Sequence, residues 1–232
     1  MTDETTREPI PEEREKFAAE AEKARAEARK AAAEAAMAEI ELAESQRAEA
    51  ALLATDSYHH LFRFTKVVGA DSVAVCINTL SRWSRIDDTE RADGDEPCVM
   101  QIDFTSPGGS VIDGLALFDF LQELRRKGHR ITTRGIGYAA SMAGILLQAG
   151  DLRVMAPESW LLIHEASFGA GGKIGEVEDT VEWVKRIQKR ILRIFAERSN
   201  LSVGQISNRW RRKDWWISSE EALRFGLVDE VW

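Results

Sequence analysis

This chain of 232 residues is short of cysteine, of glycine and proline in its first third, of long apolar runs and of net positive charge. Each shortage excludes something. Two cysteines, Cys76 and Cys98, are too few for a disulfide scaffold or a cysteine-rich metal site, which makes a reducing cytoplasm the expected compartment. The 31 basic residues are outnumbered by 39 acidic ones, so nucleic-acid binding by bulk positive charge is not expected. No apolar run approaches the roughly 18 residues of a membrane span. Met1 to Glu15 is polar and acidic, so no secretory signal is expected there. Four histidines, His59, His60, His129 and His164, limit imidazole chemistry to few places. Hydrophobic residues make up 44%, enough for a sizeable core, and the seven tryptophans concentrate toward the C-terminus.

The composition changes near residue 57. From Glu12 to Thr55, alanine, glutamate, lysine and arginine dominate; no glycine occurs before Gly69, and no proline falls between Pro11 and Pro97. This predicts one helix of some 40 residues, about 60 Å long. Its large apolar residues (Phe17, Met37, Ile40, Leu42, Leu52, Leu53) keep no heptad, so a conventional coiled coil is not expected. Two readings stand: a solvated helix held by alanine propensity and pairs such as Lys23 with Glu27, or an assembly arm.

Residues 58–232 read as one α/β domain. Helices are expected at Asp71–Trp83, Val111–Lys127, Ser141–Ala149, Ile174–Arg198 and Ser218–Arg224. Strands are expected at Cys98–Phe104, Arg130–Ile136, Arg153–Met155, Trp160–His164 and Leu227–Val231. Ser84–Glu96 is polar and reads as a loop, and Ser106–Gly109 as a turn.

Four places could carry chemistry. In Gly137–Ala143 (GYAASMA) a strand runs out into small residues and Ser141 opens an apolar helix. There it is either an activated nucleophile or a helix N-cap in a tight turn; the spelling is not G-x-S-x-G. The paired glycines of Ser106-Pro107-Gly108-Gly109 allow main-chain N–H groups close to a ligand. They could supply half an oxyanion hole, a phosphate cradle or a plain turn. No G-K-[ST] follows them, which disfavours a Walker A loop. His164 ends an apolar strand, as a packed edge residue or as the base a serine nucleophile needs. Asp214, among Arg211, Arg212, Lys213, Trp215 and Trp216, is either a surface ion pair or an orienting carboxylate.

Taken together, DFTSPGGSV (Asp103–Val111), GYAASMA (Gly137–Ala143), LLIHEAS (Leu161–Ser167) and KDWWISSEEALRFGLVDEV (Lys213–Val231) resemble, in order and spacing, the ClpP family of serine peptidases. The resemblance covers about residues 60–232. It implies an α/β, ClpP/crotonase-type layered fold of ββα units with a protruding handle helix at Ile174–Arg198, here preceded by a long Ala/Glu-rich helix. It implies Ser141 as nucleophile, His164 as general base and Asp214 as orienting acid. The main-chain N–H groups of Gly109 and Met142 would form the oxyanion hole. It further implies peptide-bond cleavage through an acyl-enzyme with no metal or organic cofactor. Protein or peptide substrates would be processed in a self-compartmentalised homo-oligomeric ring or double ring, with a Clp-type ATPase or other activator as a partner. Phe168–Gly172 would lead from a substrate-aligning strand into the handle. The chain departs from the family in two places: Arg212 and Lys213 stand where an acid and an arginine are common, and the long helix replaces a short gating segment. Two alternatives follow, a phage-type capsid maturation protease and a non-catalytic ClpP-like assembly subunit. A crotonase-like acyl-CoA enzyme does not need this serine and strand-end histidine.

Overall fold

The computed structural model describes residues 10–92 and 94–232. Residues 1–9, which hold most of the stretch read for a secretory signal, and Asp93 lie outside the described residues. The chain divides into two compact units between Thr55 and Asp56.

The first unit is a single helix, α1 (Pro11–Leu53). Pro11 opens it, its fixed φ suited to a first turn, and the Glu13 carboxylate accepts the Ile10 N–H. Alanine content and i,i+4 pairs such as Lys23–Glu27 and Lys30–Glu34 sustain it. None of its residues is buried, and Phe17, Met37, Ile40 and Leu42 are all exposed.

The second unit is built on a mixed seven-stranded sheet. Its elements are β1 (Leu61–Phe64), α2 (Ala70–Glu90), β2 (Val99–Ser106), α3 (Val111–Arg126), β3 (Arg130–Ala140), α4 (Met142–Leu147), β4 (Leu152–Met155), β5 (Trp160–Ile163), α5 (Ile174–Glu197), α6 (Val203–Trp210), β6 (Trp215–Ser218), α7 (Ser219–Arg224) and β7 (Glu230–Val231). The main path runs β1-β2-β3-β4-β7 with parallel pairing throughout. The strand β3 serves two partners: Thr132–Gly135 pairs with β4, and Tyr138–Ala140 pairs with β5. In turn β5 pairs antiparallel with β6. This is the layered α/β fold that the resemblance implied, and α1 is the long leading helix that the composition predicted.

Several boundaries differ from the sequence reading. The stretch Ser84–Glu90 is helix rather than loop. Nothing between Ala70 and Glu90 breaks the helix, and its polar residues form a stitched end. There Thr89 Oγ1 donates to Arg85 O, Arg91 pairs with Asp87 and Asp88, and Asp87 accepts the Cys98 N–H. The strand β3 extends to Ala140 because its second half gains β5 as a partner. The strands β1 and β6 and the helix α6 were not anticipated.

The core lies between the sheet and its helices, around Leu80, Met100, Ile102, Phe104, Leu117, Leu121, Ile131 and Leu146. A charged ladder crosses three strands: Arg134 holds Asp103 with two hydrogen bonds of 2.6 and 2.5 Å, and Arg63 approaches the same carboxylate at 3.6 Å. A second ion pair locks the C-terminus. The buried Arg153 donates to both Asp229 oxygens (2.6 and 3.0 Å), to Gln148 Oε1 and to the carbonyls of Arg198 and Leu227. Burial raises the Asp229 pKa, but the hydrogen bonds and charge of Arg153 outweigh it and leave the carboxyl below its ordinary value.

Removing that carboxylate strands a buried guanidinium. Asp229→Ala is expected to lose about 3 kcal/mol, the low end for a broken buried pair because Asp229 itself is 36% exposed. A depressed folded-state pKa gives stability that is present above the unfolded value of about 3.9 and lost as pH falls through the folded one. Urea unfolding below about pH 4 should therefore weaken the parent chain more than Asp229→Ala.

Candidate active site

Two strand registers build the site. In the parallel pairing of β3 with β5, Ala140 lies opposite Leu162, so the next residues, Ser141 and Ile163, emerge side by side. The Ser141 N–H donates to Leu162 O (2.9 Å) and fixes that edge. In the antiparallel pairing of β5 with β6, Ile163 lies opposite Trp215. One step further the same register sets His164 opposite Asp214. Residues 73 positions apart in the chain (141 to 214) thus share one corner of the sheet.

Ser141 adopts φ 54° and ψ −121°, a left-handed conformation that an L-residue takes only under constraint, at about 1–3 kcal/mol. It sits at the N-cap position of α4, yet its side chain makes no capping hydrogen bond. Instead Ser141 Oγ lies 2.7 Å from His164 Nε2. The capping alternative is therefore set aside, and the hydroxyl faces an imidazole. On its other side His164 Nδ1 lies 3.4 Å from Asp214 Oδ1, which is long for a hydrogen bond. The Asp214 side chain is 61% exposed. The segment carrying it turns back through Arg212, whose φ is also positive at 55°, and the Arg212 N–H donates to Glu165 (3.4 Å).

The SPGG turn closes the other side. Val68 N–H donates to Gly108 O, and Ser110 N–H donates to Val68 O. Because the peptide is trans, the Gly109 N–H points opposite to the Gly108 carbonyl, away from Val68. Gly108 has φ +86°, and a Cβ there would lie 2.5 Å from Ala140 O and 2.7 Å from both Met142 N and Ser141 Cβ. The turn therefore packs directly on the serine's own backbone. Met142 opens α4, so its N–H has no acceptor within the helix. Its side chain lies over Gly114 of α3, where a Cβ would come within 2.3 Å of it.

The sequence reading missed the apolar recess beside the serine. Val111, Ile145, Ile163, Ile191 and Phe195 line it together with Ser141, Met142 and His164, around a space of about 20 Å³. A second hollow, bounded by Val111, Ala166, Phe168, Trp183 and Val184, shares Val111 and Ala166 with it. The apolar stripe of α5 was visible as a core face, but nothing in the sequence showed that it passes the serine. No helix among the described residues is long and apolar enough to cross a membrane.

Comparison with known proteins decides the family. The Clp protease family profile matches residues 56–232. The chain belongs to the Clp protease family. Similar curated proteins include an ATP-dependent Clp protease proteolytic subunit of Chlorella vulgaris, 35% identical over 134 residues, or 57% of this chain and 65% of that protein. One from Bacteroides fragilis is 35% identical over 136 residues, covering 57% and 63%. An ATP-dependent Clp protease proteolytic subunit 2 of Tropheryma whipplei is 35% identical over 128 residues, covering 54% and 69%. The chain thus spans a little under two thirds of the length of the first two relatives. The Clp protease match takes in all of the second unit and none of α1.

Gly108 is the strictest requirement of this corner. Gly108→Ala is expected to lower stability by about 2–3 kcal/mol, because it adds both a left-handed φ and contact with backbone atoms. Thermal unfolding beside Gly69→Ala, where an added Cβ meets nothing within 4 Å, checks this.

Proposed function

We propose that this chain is a serine endopeptidase of the Clp protease type, with Ser141 as nucleophile, His164 as general base and Asp214 as orienting acid. The observation that carries the reading is the strained Ser141, whose hydroxyl sits 2.7 Å from His164 Nε2 instead of capping its helix. Ser141 Oγ attacks the scissile carbonyl while its proton passes to Nε2. The N–H groups of Gly109 and Met142 receive the negative charge that develops on the carbonyl oxygen. His164 then protonates the leaving amine, and water hydrolyses the ester by the same route in reverse. The apolar residues Val111, Ile145, Ile163, Ile191 and Phe195 border the serine on the side where a substrate side chain would lie.

Assembly belongs to the same proposal. No residue of α5 before Val184 is fully buried, and Ile174 and Trp183 are exposed, which suits a handle that packs against another copy in a ring or double ring. The 3.4 Å gap between His164 and the exposed Asp214 is a second reason to expect assembly to matter, since a shorter contact would complete the relay. Residues 1–57 are proposed as a helical extension distinct from the peptidase domain at 58–232. That no residue of α1 is buried supports a docking role for it, as in a dedicated maturation protease.

A fluorophosphonate probe on size-fractionated protein tests the reading. Labelling is expected in the assembled fraction, to depend on Ser141, and to vanish in Ser141→Ala. Equal reaction of the parent chain and Ser141→Ala would overturn it. The labelling rate should also fall from pH 8 to about pH 5, because a protonated imidazole has no lone pair to accept the serine proton. A flat profile would remove His164 from the mechanism. Deleting residues 1–56 should leave cleavage of small peptides intact while abolishing capture by a partner.

A further inference from the structure

The strands β2 and β3 carry a second cluster of reactive side chains at the end opposite to Ser141. Asp87 comes from the last turns of α2, Cys98 immediately precedes β2, and His129 immediately precedes β3. Their ligand atoms all lie within 4.8 Å of one another. We infer that Asp87, Cys98 and His129 form a binding site for a zinc ion.

The geometry supports this at each residue. Cys98 Sγ lies 3.6 Å from His129 Nδ1. A sulfur and a nitrogen on one tetrahedral zinc, with bonds of about 2.3 and 2.05 Å, stand roughly 3.5 Å apart. His129 is buried, and its Nε2 lies 2.9 Å from Ser84 Oγ. His129 Nδ1 also lies 3.4 Å from the Cys98 carbonyl oxygen; in the tautomer with Nε2–H donating to the Ser84 hydroxyl, that contact is given up and the Nδ1 lone pair faces the sulfur, the arrangement in which an outer partner fixes a liganding imidazole. Asp87 Oδ1 accepts the Cys98 N–H (2.9 Å), which leaves Oδ2 for the metal. That Oδ2 is buried and has no hydrogen-bond partner. Arg91 Nε stands 3.5 Å from it, and this partly exposed side chain is the cation a metal would displace. The ligand atoms lie within 4.8 Å of one another, so the Asp87 carboxylate must draw closer to reach tetrahedral spacing.

The ligand set selects the ion. One thiolate, one imidazole and one carboxylate suit zinc rather than magnesium or calcium, and three protein ligands leave a fourth position for water. Binding forms the zinc–sulfur bond as the sulfur–hydrogen bond breaks, with the proton released to solvent. Bound zinc would fasten the end of α2 to the starts of β2 and β3.

Cobalt(II) tests the assignment on the full-length chain stripped of metal with a chelator, because a cobalt–thiolate bond gives a near-ultraviolet charge-transfer band. The expected result is one equivalent of cobalt producing that band and the visible bands of a tetrahedral ion, both removed by one equivalent of zinc. Cys98→Ser should abolish the charge-transfer band, and Cys76→Ala should keep it. Asp87→Asn should weaken binding at least tenfold. Ser84→Ala should weaken it about tenfold with the band retained, as expected of a positioning residue. Zinc should also raise the melting temperature of the parent chain but not of Cys98→Ser. No charge-transfer band in the folded parent chain at tens of micromolar cobalt would overturn the inference. So would a band that survives Cys98→Ser.

Discussion

The strand β5 is four residues long, and the site depends on its being paired on both sides. Its parallel register with the end of β3 places Ser141 beside Ile163, and its antiparallel register with β6 places Asp214 opposite His164. A shift of one residue in either ladder would turn alternate side chains to the other face and separate the three groups. The core stands behind this arrangement. Leu161 is fully buried, Gly144 leaves room for its Cδ1 against α4, and Ile217 faces the same interior from β6. Burial on one face sets the register, and the register sets the chemistry.

The serine's conformation follows from the same pairing. Its N–H is held by Leu162 O, while Gly108 presses on Ala140 and Met142 from the other side. Ser141 meets both in the strained conformation it adopts. Strain at one residue is tolerable here because the surrounding backbone is fixed by hydrogen bonds and by buried neighbours from Ala139 to Leu147. The hydroxyl is thereby presented to His164 with little freedom to turn back and cap α4.

Much of this was legible in the sequence, and the limits have physical causes. Ser141 and His164 stood out because each terminates a strand-like run, which local pattern can reveal. The turn at Ser106–Gly109 announced itself through its glycines. Asp214 was different. Without the family resemblance it could not be told from a surface ion pair, because β6 exists only through pairing with β5 some fifty residues earlier, and WWIS carries no strong strand pattern. The apolar recess depended on where α5 crosses the sheet, which no local window encodes. Asp87, in a stretch read as a loop, lay in a helix whose polar face hid its continuation. The parallel pairing of β2 and β3 sets Cys98 beside His129, again a long-range effect, and the Cys98 N–H bond holds Asp87 against them.

The order of these elements along the chain governs when they can come together. A nascent polypeptide emerging from the ribosome acquires Ser141 and His164 long before β6 is made. The ladder that brings Asp214 to the imidazole, and the β4–β7 pairing with its Arg153–Asp229 clasp, must await residues made well after β5. Pairings so distant in sequence form late, since their loop closure must be met before their contacts are gained. An unfinished or truncated chain therefore carries two of the three groups without the third. The topology itself delays the meeting of the three groups until β6 has been made, which for the proposed peptidase would be a latency written into the order of its strands.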